Sequence, residues 1–530
     1  MKKKQILTGV MALLMSVALC ACGGDKTVEG SADNAPVTET TVTDAKSDEN
    51  GNTLSEETPV PGGRVVFGMT QDLASLDPHA SLDAGTRDVV FNLYEGLVKA
   101  TSDGTMVPAV ASDVEISDDA KTYTFTLREG ITFHDGTMVT AEDVKYSIDR
   151  YAEAQGESSA FSIVSEVVIR DEKTVDIILD EGYSEFLPMM NVAIIPESNE
   201  DPVGNPIGTG PFKYVSYTPG QKLVLEKYDG YWQEGVPSLD EVEFKFIADS
   251  NTAFMELQAG TIDIMKNLSS AQVQTLEGSD FNIVEGNMNL VHAMFLNCEY
   301  EPLSDAKVRQ AICYAVDRNA INNFLFSGKS KLIGSHMIPN MGKYYEPQAE
   351  NVYAYDPEKA KELLAEAGYP DGFELQINVA SSYPLHVNTC QIIVEQLKAV
   401  GIHATINQVE WSTWLEETYR GGNFQATVVG FDGTLAPSDY LMKYCTGNVK
   451  NFMHYSNAEY DQVFTEAYET IDDEKKAELY KKAQMILAED AAAVYIEDPA
   501  NLVAVNKKFA GYEFYPTAAE DMAKLYQVEQ

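Results

Sequence analysis

The segment Arg64-Val65-Val66-Phe67-Gly68-Met69 has no polar face after its first residue, so it predicts a strand buried on both sides. A loop over 71–85 follows, and the spacing of Val89, Val90, Leu93 and Leu97 predicts a helix. Tyr123, Phe125 and Leu127 alternate with threonines and Arg128, which predicts a strand; Glu129-Gly130 then predicts a hairpin turn into Ile131–Phe133. Thr140 and Asp143 form a capping pair for a helix over Ala141–Tyr151, since the hydroxyl and the carboxylate satisfy its free amides. Asp356-Pro357 opens a helix with Ala360, Leu363, Leu364 and Ala367 on one face, and Gly368 and Pro370 close it. A further helix is predicted from about Thr389 to Val400, and Ile402, Ala404 and Ile406 then alternate as a strand. Helices and strands alternate through both halves, an α/β pattern without a short internal repeat.

The first residues follow a different pattern. Lys2 to Lys4 precede an apolar run from Ile6 to Leu19, too short for a comfortable membrane span, which reads as a secretory signal peptide. The ending Leu19-Cys20-Ala21-Cys22, followed by Gly23-Gly24, resembles the lipobox of bacterial lipoproteins. That resemblance implies cleavage after Ala21 and lipidation of Cys22; Cys20 is a poorer candidate because the bulky Leu19 would sit at the cut. Each buried methylene of an acyl chain contributes about 0.8 kcal/mol, so two or three chains would hold the protein firmly to a membrane. From 25 to 60 the chain is polar, acidic and without aromatic residues, so it is expected to be a flexible tether, spanning on the order of 35 Å.

From Pro61 onward the composition is that of a folded body long enough for more than one core. The net charge of −44 argues against a nucleic-acid partner, which needs a basic footprint. Beyond Cys20 and Cys22 the cysteines are Cys298, Cys313, Cys390 and Cys445, widely spaced and read as free thiols. The 7 histidines show no ligand spacing, so neither a metal site nor a cofactor is expected.

Several stretches, in order, resemble family 5 of the extracytoplasmic solute-binding proteins, the dipeptide, oligopeptide and nickel binders that serve ABC importers. They include Ser75-Leu76-Asp77-Pro78-His79, Leu93-Tyr94-Glu95-Gly96-Leu97, Phe133-His134-Asp135-Gly136, Thr140-Ala141-Glu142-Asp143-Val144 and Gly208-Thr209-Gly210-Pro211-Phe212. Tyr231-Trp232, Ala259–Ile264, Val308-Arg309-Gln310-Ala311, Tyr314–Arg318 and Ala360–Gly372 continue the series. The resemblance implies a two-lobed, periplasmic-binding-protein-like α/β fold (type II, cluster C) with an extra subdomain in the N-terminal lobe. The expected divisions are a signal peptide at 1–21, the lipidated start and linker at 22–61, lobe I at 62–98, the extra subdomain at 99–207, lobe I again at 208–297, lobe II at 298–499 and a return to lobe I at 500–530. The implied mechanism is closure of the lobes around a ligand.

The same resemblance points to ligand-contact positions. Leu82, Asp83 and Ala84 stand where oligopeptide binders hold the peptide backbone, and the alternative is a plain strand-to-helix loop. Asn267 matches an asparagine that reaches the ligand near the hinge; otherwise it is a turn residue before a helix starting near Ser269 or Ser270. Phe431, Asp432, Gly433 and Thr434 fall in the segment where peptide binders carry a tryptophan and an aspartate for the ligand ammonium. Here Phe431 replaces the tryptophan, the segment is a residue shorter, and Asp432 either takes over that task or faces solvent. His386 matches a histidine that meets the ligand's C-terminal part in some members; the competing reading is a satisfied surface histidine. Tyr383, Trp411 and Trp414 are candidates for apolar walls or for core.

The resemblance therefore implies a non-enzymatic, lipid-anchored receptor, monomeric, that takes a peptide or similar small solute and passes it to an ABC permease and its ATPase. A nickel-chelate binder of the same family and a surface ligand sensor are the alternatives. An exported hydrolase is disfavoured, because Gly-x-Ser-x-Gly and His-Glu-x-x-His are absent and no Ser-x-x-Lys stands in a catalytic context.

Overall fold

The computed structural model describes residues 59–80, 84–156, 160–517 and 519–529. The expected cleavage and lipidation sites, the linker up to residue 58, Leu82 and Asp83 lie outside the described residues, while Pro59–Val60, near the linker's end, form a short strand paired with Tyr526–Val528. Two sheets organise the body. The first has seven strands in the order Phe281–Asn287, Ala500–Asn506, Ile264–Met265, Arg64–Met69, Glu241–Phe246, Lys222–Lys227 and Phe212–Thr218. Arg64–Met69 lies in its middle, parallel to both neighbours, which explains its uninterrupted apolar run. Asp263 fixes the neighbouring crossing, accepting from the Val66 amide at 2.9 Å while pairing with Lys508 at 2.6 Å.

The second sheet has six strands in the order Lys331–Leu332, Ala493–Asp498, Val291–Leu296, Ala426–Phe431, Glu374–Ala380 and His403–Val409. Between parts of the first lobe the chain inserts a four-stranded antiparallel sheet, Ala111–Ile116, Thr122–Leu127, Thr174–Leu179 and Val164–Ile169 in order 111–116, 122–127, 174–179, 164–169. The helix Ala141–Gln155 packs on it, with the Thr140–Asp143 capping box in place at its start. Such a cap contributes about 1 kcal/mol.

Several sequence expectations change on contact with tertiary structure. Thr122–Leu127 pairs with Ala111–Ile116 and Thr174–Leu179, so the predicted hairpin into Ile131–Phe133 does not form; the apolar alternation was right and the partner was not local. The helix expected through Leu97 is Ala84–Val90. It stops because the Asn92 carboxamide turns back to the Val89 carbonyl and reaches the Glu520 carbonyl, tying the segment to the C-terminal return of the chain. The helix expected from Thr389 begins at Pro384 and so takes in His386. Cys298, Cys313, Cys390 and Cys445 are free thiols. No helix among the described residues is long and apolar enough to cross a membrane.

The chain passes between the two large sheets twice, through Met288–Leu290 and through Pro499. The first passage comes earlier than the boundary at 297, because Val291–Leu296 is paired on both sides within the second sheet. The passages are bonded to each other: the Met288 amide donates to the Pro499 carbonyl at 2.8 Å, Asn287 Nδ2 to the Asp498 carbonyl at 3.1 Å, and the Leu290 amide to Asp498 Oδ1 at 3.0 Å. Asn289 takes a left-handed backbone there, φ 57°, a conformation asparagine tolerates better than most residues.

Beside these passages lies an unusual buried pair. His292 and Glu497 are cross-strand neighbours, both fully buried, with Nδ1 and Oε1 3.7 Å apart, too far for a hydrogen bond. Among the described residues, no hydrogen bond of good geometry forms at either ring nitrogen of His292 or either carboxylate oxygen of Glu497, and the Ser330 side chain offsets the burial of Glu497 only in part. Burial pushes Glu497 up to about 7 and His292 down to about 3, so desolvation outweighs their mutual attraction and keeps both neutral below neutrality. A carboxyl whose folded pKa is raised from 4.5 contributes stability that is complete below pH 4.5 and is lost as pH rises through 7. Glu497→Gln mimics the protonated form. Its melting temperature should therefore gain on the wild type by on the order of a few degrees between pH 5 and pH 8. Taking this difference cancels the opposite contribution of the other buried histidines, and a constant difference across that range would refute the assignment.

Candidate ligand-binding cleft

Between the lobes, against the two passages, lies a cavity of about 1170 Å³. The first lobe contributes Arg87, Asp88, Lys266, Asn267 and, from the returning segment, Tyr512–Thr517, Ala519 and Glu520; the second contributes Tyr383, His386, Trp411 and Gly430–Gly433. The strand Ala426–Phe431 delivers Gly430 and Phe431 to the wall and runs directly into Asp432 and Gly433. Both glycines are required by crowding: a Cβ on Gly430 would stand 2.2 Å from the Leu290 side chain, and one on Gly433 2.4 Å from the Tyr440 ring.

His386 is buried rather than at the surface. Its Nε2 accepts the Gly430 amide at 3.1 Å, and its ring is stacked between Tyr383 and His292 at centroid distances of 5.2 Å and 5.3 Å. Burial, reinforced by His292, holds its pKa down to about 3, so it stays neutral and props the Gly430 backbone. Tyr383 continues the aromatic wall through Trp411 at 5.2 Å, and Trp411 stacks on the buried Trp414 at 5.0 Å and 10°. Of the two indoles, only Trp411 lines the cleft.

Asp432 lies in the cleft. Its carboxylate is paired across the gap with Arg87, Oδ2 to Nη2 at 2.7 Å, with side-chain exposures of 54% and 46%. A pair this exposed contributes about 0–1 kcal/mol, so a ligand group can replace either partner cheaply. The burial that would have forced a cationic ligand onto Asp432 is absent. Deeper in the first lobe, Lys266 bridges Asp88 and Glu520, with 3.0 Å to Glu520, whose other oxygen accepts Tyr512 Oη at 2.8 Å. Burial raises Asp88 to about 6 against the pull of Lys266. The charges that face the cavity are thus largely neutralised by one another.

Asn267 is exposed on the cleft with φ 61°, before the helix Ser270–Thr275 that Ser269 caps. The turn before this helix is what places Asn267 on the cavity wall. Ala84 begins the helix Ala84–Val90. Thr434 serves its own turn, its amide donating to Asp439 and its hydroxyl accepting from the Ala436 amide, and it is not a lining residue. Arg87, Asp88, Lys266 and Glu520 were not singled out from the sequence; Glu520 meets Lys266 across 254 positions, a separation that no local pattern reveals.

A second cavity, of about 680 Å³, is lined by Tyr151 and Gln155 of the helix Ala141–Gln155, by Val98, Lys99 and Pro108, and by first-lobe residues, and it shares Arg87 and Tyr515 with the cleft. Its central acid, Glu95, is fully engaged by Lys99, Tyr231 and Trp232 at 2.9, 2.6 and 2.7 Å, and it receives nothing from the second lobe. The interlobe cavity is therefore the candidate site. Among the described residues, no group of three or more His, Cys, Asp or Glu side chains is placed to hold a metal ion.

A cleft between two sheet-centred lobes joined by two short passages defines an extracytoplasmic solute-binding protein. The family model described as bacterial extracellular solute-binding proteins, family 5, matches residues 105–453, and the chain belongs to this family. Members serve as the substrate-binding components of ABC importers and are not enzymes. The glutathione-binding protein GsiB of Pectobacterium atrosepticum is 27% identical over 477 residues, 85% of this chain and 92% of the relative. Among solved structures, the substrate-binding protein CtaP of Listeria monocytogenes superposes with a TM-score of 0.80 at 26% identity, covering 89% of this chain and 100% of that one. The periplasmic binding protein DppA of Helicobacter pylori, in complex with the peptide STSA, gives 0.74 at 26% identity, covering 88% and 99%.

Because Trp411 is the indole exposed to the cleft, ligand saturation should change tryptophan emission, and Trp411→Phe should remove most of that change while leaving the fold intact. A signal of undiminished size in Trp411→Phe would place the ligand elsewhere.

Proposed function

We propose that this protein captures a short peptide or peptide-like solute between its lobes and delivers it to an ABC permease. The observation that carries this reading is the make-up of the cleft. At about 1170 Å³ it exceeds the roughly 300–1,000 Å³ of an ordinary small-molecule pocket. It offers the carboxamides of Asn267 and Asn501, which both donate and accept, against the aromatic wall of Tyr383 and Trp411. Such groups suit peptide backbone and apolar side chains. Asn267, Phe431, Asp432 and Gly433 are the proposed contact residues, with His386 holding the Gly430 backbone in place. The Arg87–Asp432 pair can open to serve a ligand carboxylate and ammonium together, so a zwitterionic ligand is favoured over a simple cation.

The peptide complex of the Helicobacter relative and the glutathione named for the Pectobacterium relative support the same chemical class. The lipobox-like Leu19-Cys20-Ala21-Cys22 supports attachment to the cell membrane through a lipid on Cys22, on the outer side, with the polar segment that precedes the strand Pro59–Val60 as the tether. We take the working form to be a monomer.

Native mass spectrometry of protein purified without refolding should show retained peptide masses. Titration with peptide pools, glutathione and nickel–histidine chelates should raise the melting temperature for the peptidic arms, since a ligand at 100 times its dissociation constant stabilises by about 2.7 kcal/mol. A shift with the nickel chelate alone, or none with any peptide, would overturn the peptide reading.

A further inference from the structure

The inserted sheet is tied to the second lobe by a set of contacts that the cleft does not require. Glu185, in the segment after strand Thr174–Leu179, is 5% exposed. Its Oε1 accepts Lys476 Nζ at 3.1 Å and Tyr480 Oη at 2.6 Å, and its Oε2 accepts the Ser438 amide at 2.9 Å. Lys476 Nζ also donates to Ser184 Oγ at 2.6 Å, and Tyr183 Oη meets Ser438 Oγ at 2.9 Å. The Tyr183 ring stacks on Tyr468 at 5.0 Å. On the side of the insert the contact is rigid, because the Tyr183 carbonyl accepts Tyr123 Oη from the inserted sheet at 2.6 Å. On the other side, Lys476 and Tyr480 belong to the helix Asp473–Glu489, whose inner face lies in the second-lobe core.

Ser438 gives this contact its meaning. It lies at the start of the helix Pro437–Leu441, directly after the loop that carries Phe431, Asp432 and Gly433 into the cleft. One carboxylate therefore holds a lysine, a tyrosine and the end of the cleft loop at once. Lys476 is 1% exposed, so parting the lobes would rehydrate both charges, and closing them is tolerable only if each finds the other. A buried pair of this kind adds little net affinity and strongly penalises any closure in which the two charges fail to meet. The half-exposed Arg87–Asp432 pair has no such selectivity.

We propose that Glu185 is a positioning residue for closure: it accepts only the docking of the second lobe in which the Phe431–Gly433 loop is correctly placed over the cleft. The insert thereby acts as the gauge of the closed form. The inference goes beyond the ligand class and stands whichever solute occupies the cleft.

Hydrogen exchange on the full-length protein in detergent, at pH 7 without added ligand, tests this through the Ser438 amide. Glu185→Gln, whose single neutral oxygen cannot serve Ser438 and the Lys476–Tyr480 side together, should raise exchange at Ser438 by about tenfold or more and should enlarge the hydrodynamic radius. Exchange in the strands Thr122–Leu127 and Thr174–Leu179 should stay unchanged. Tyr183→Phe, which leaves no unpaired charge, should raise Ser438 exchange by a smaller, few-fold factor and serves if Glu185→Gln does not fold. Unchanged Ser438 exchange in both variants would overturn the proposal. So would a rise shared equally by the inserted sheet, which would make Glu185 a support of the insert alone.

Discussion

The cleft depends on how the chain crosses between the two large sheets: among the described residues it does so at Met288–Leu290 and at Pro499, and the crossings are bonded to each other through Asp498 and Met288. Two adjacent passages define one axis. The lobes have separate core clusters, and the proposed closure turns them about this axis as bodies. Asp498 is itself buried, and burial pushes it up to about 7, like its neighbour Glu497. The axis thus carries two carboxyls whose burial holds their pKa well above the ordinary carboxylate range.

Charge is treated differently at three depths of the interlobe region. At the rim of the cleft, Arg87 and Asp432 pair while half exposed and can be exchanged for ligand groups. On the first-lobe side, Lys266 is shared by Asp88 and Glu520, which fixes the returning C-terminal segment against the helix Ala84–Val90. Between the insert and the second lobe, Glu185 and Lys476 are fully enclosed. The overall charge of −44 has little bearing on this, because the acids that matter are matched locally.

Much of the fold was legible because its signals are local. The Thr140–Asp143 capping box, the Asp356-Pro357 helix start and the buried strand Arg64–Met69 each follow from residues within a few positions of one another. The family motifs led to the cleft loop at Phe431–Gly433 and to Asn267, which the structure brings to one cavity. What sequence could not supply were pairings set by the fold: Thr122–Leu127 with strands that are not its hairpin neighbour, Arg87 with Asp432 across 345 positions, and Glu185 with Lys476 across 291. His386 illustrates the limit well. From sequence it reads as a ligand contact or a surface histidine, whereas its burial beside Tyr383 and its acceptance of the Gly430 amide depend on a helix that begins at Pro384, five residues before the predicted start at Thr389.

Ligand binding and lobe closure about the double crossing, if they are one event, change the size of the molecule together. Small-angle X-ray scattering of the ligand-stripped protein, alone and saturated with a defined peptide pool, measures this. A smaller radius of gyration is expected in the saturated sample, with unchanged secondary structure by circular dichroism. Superimposable scattering curves accompanied by a rise in melting temperature would mean binding without closure, and would contradict the coupling of the two.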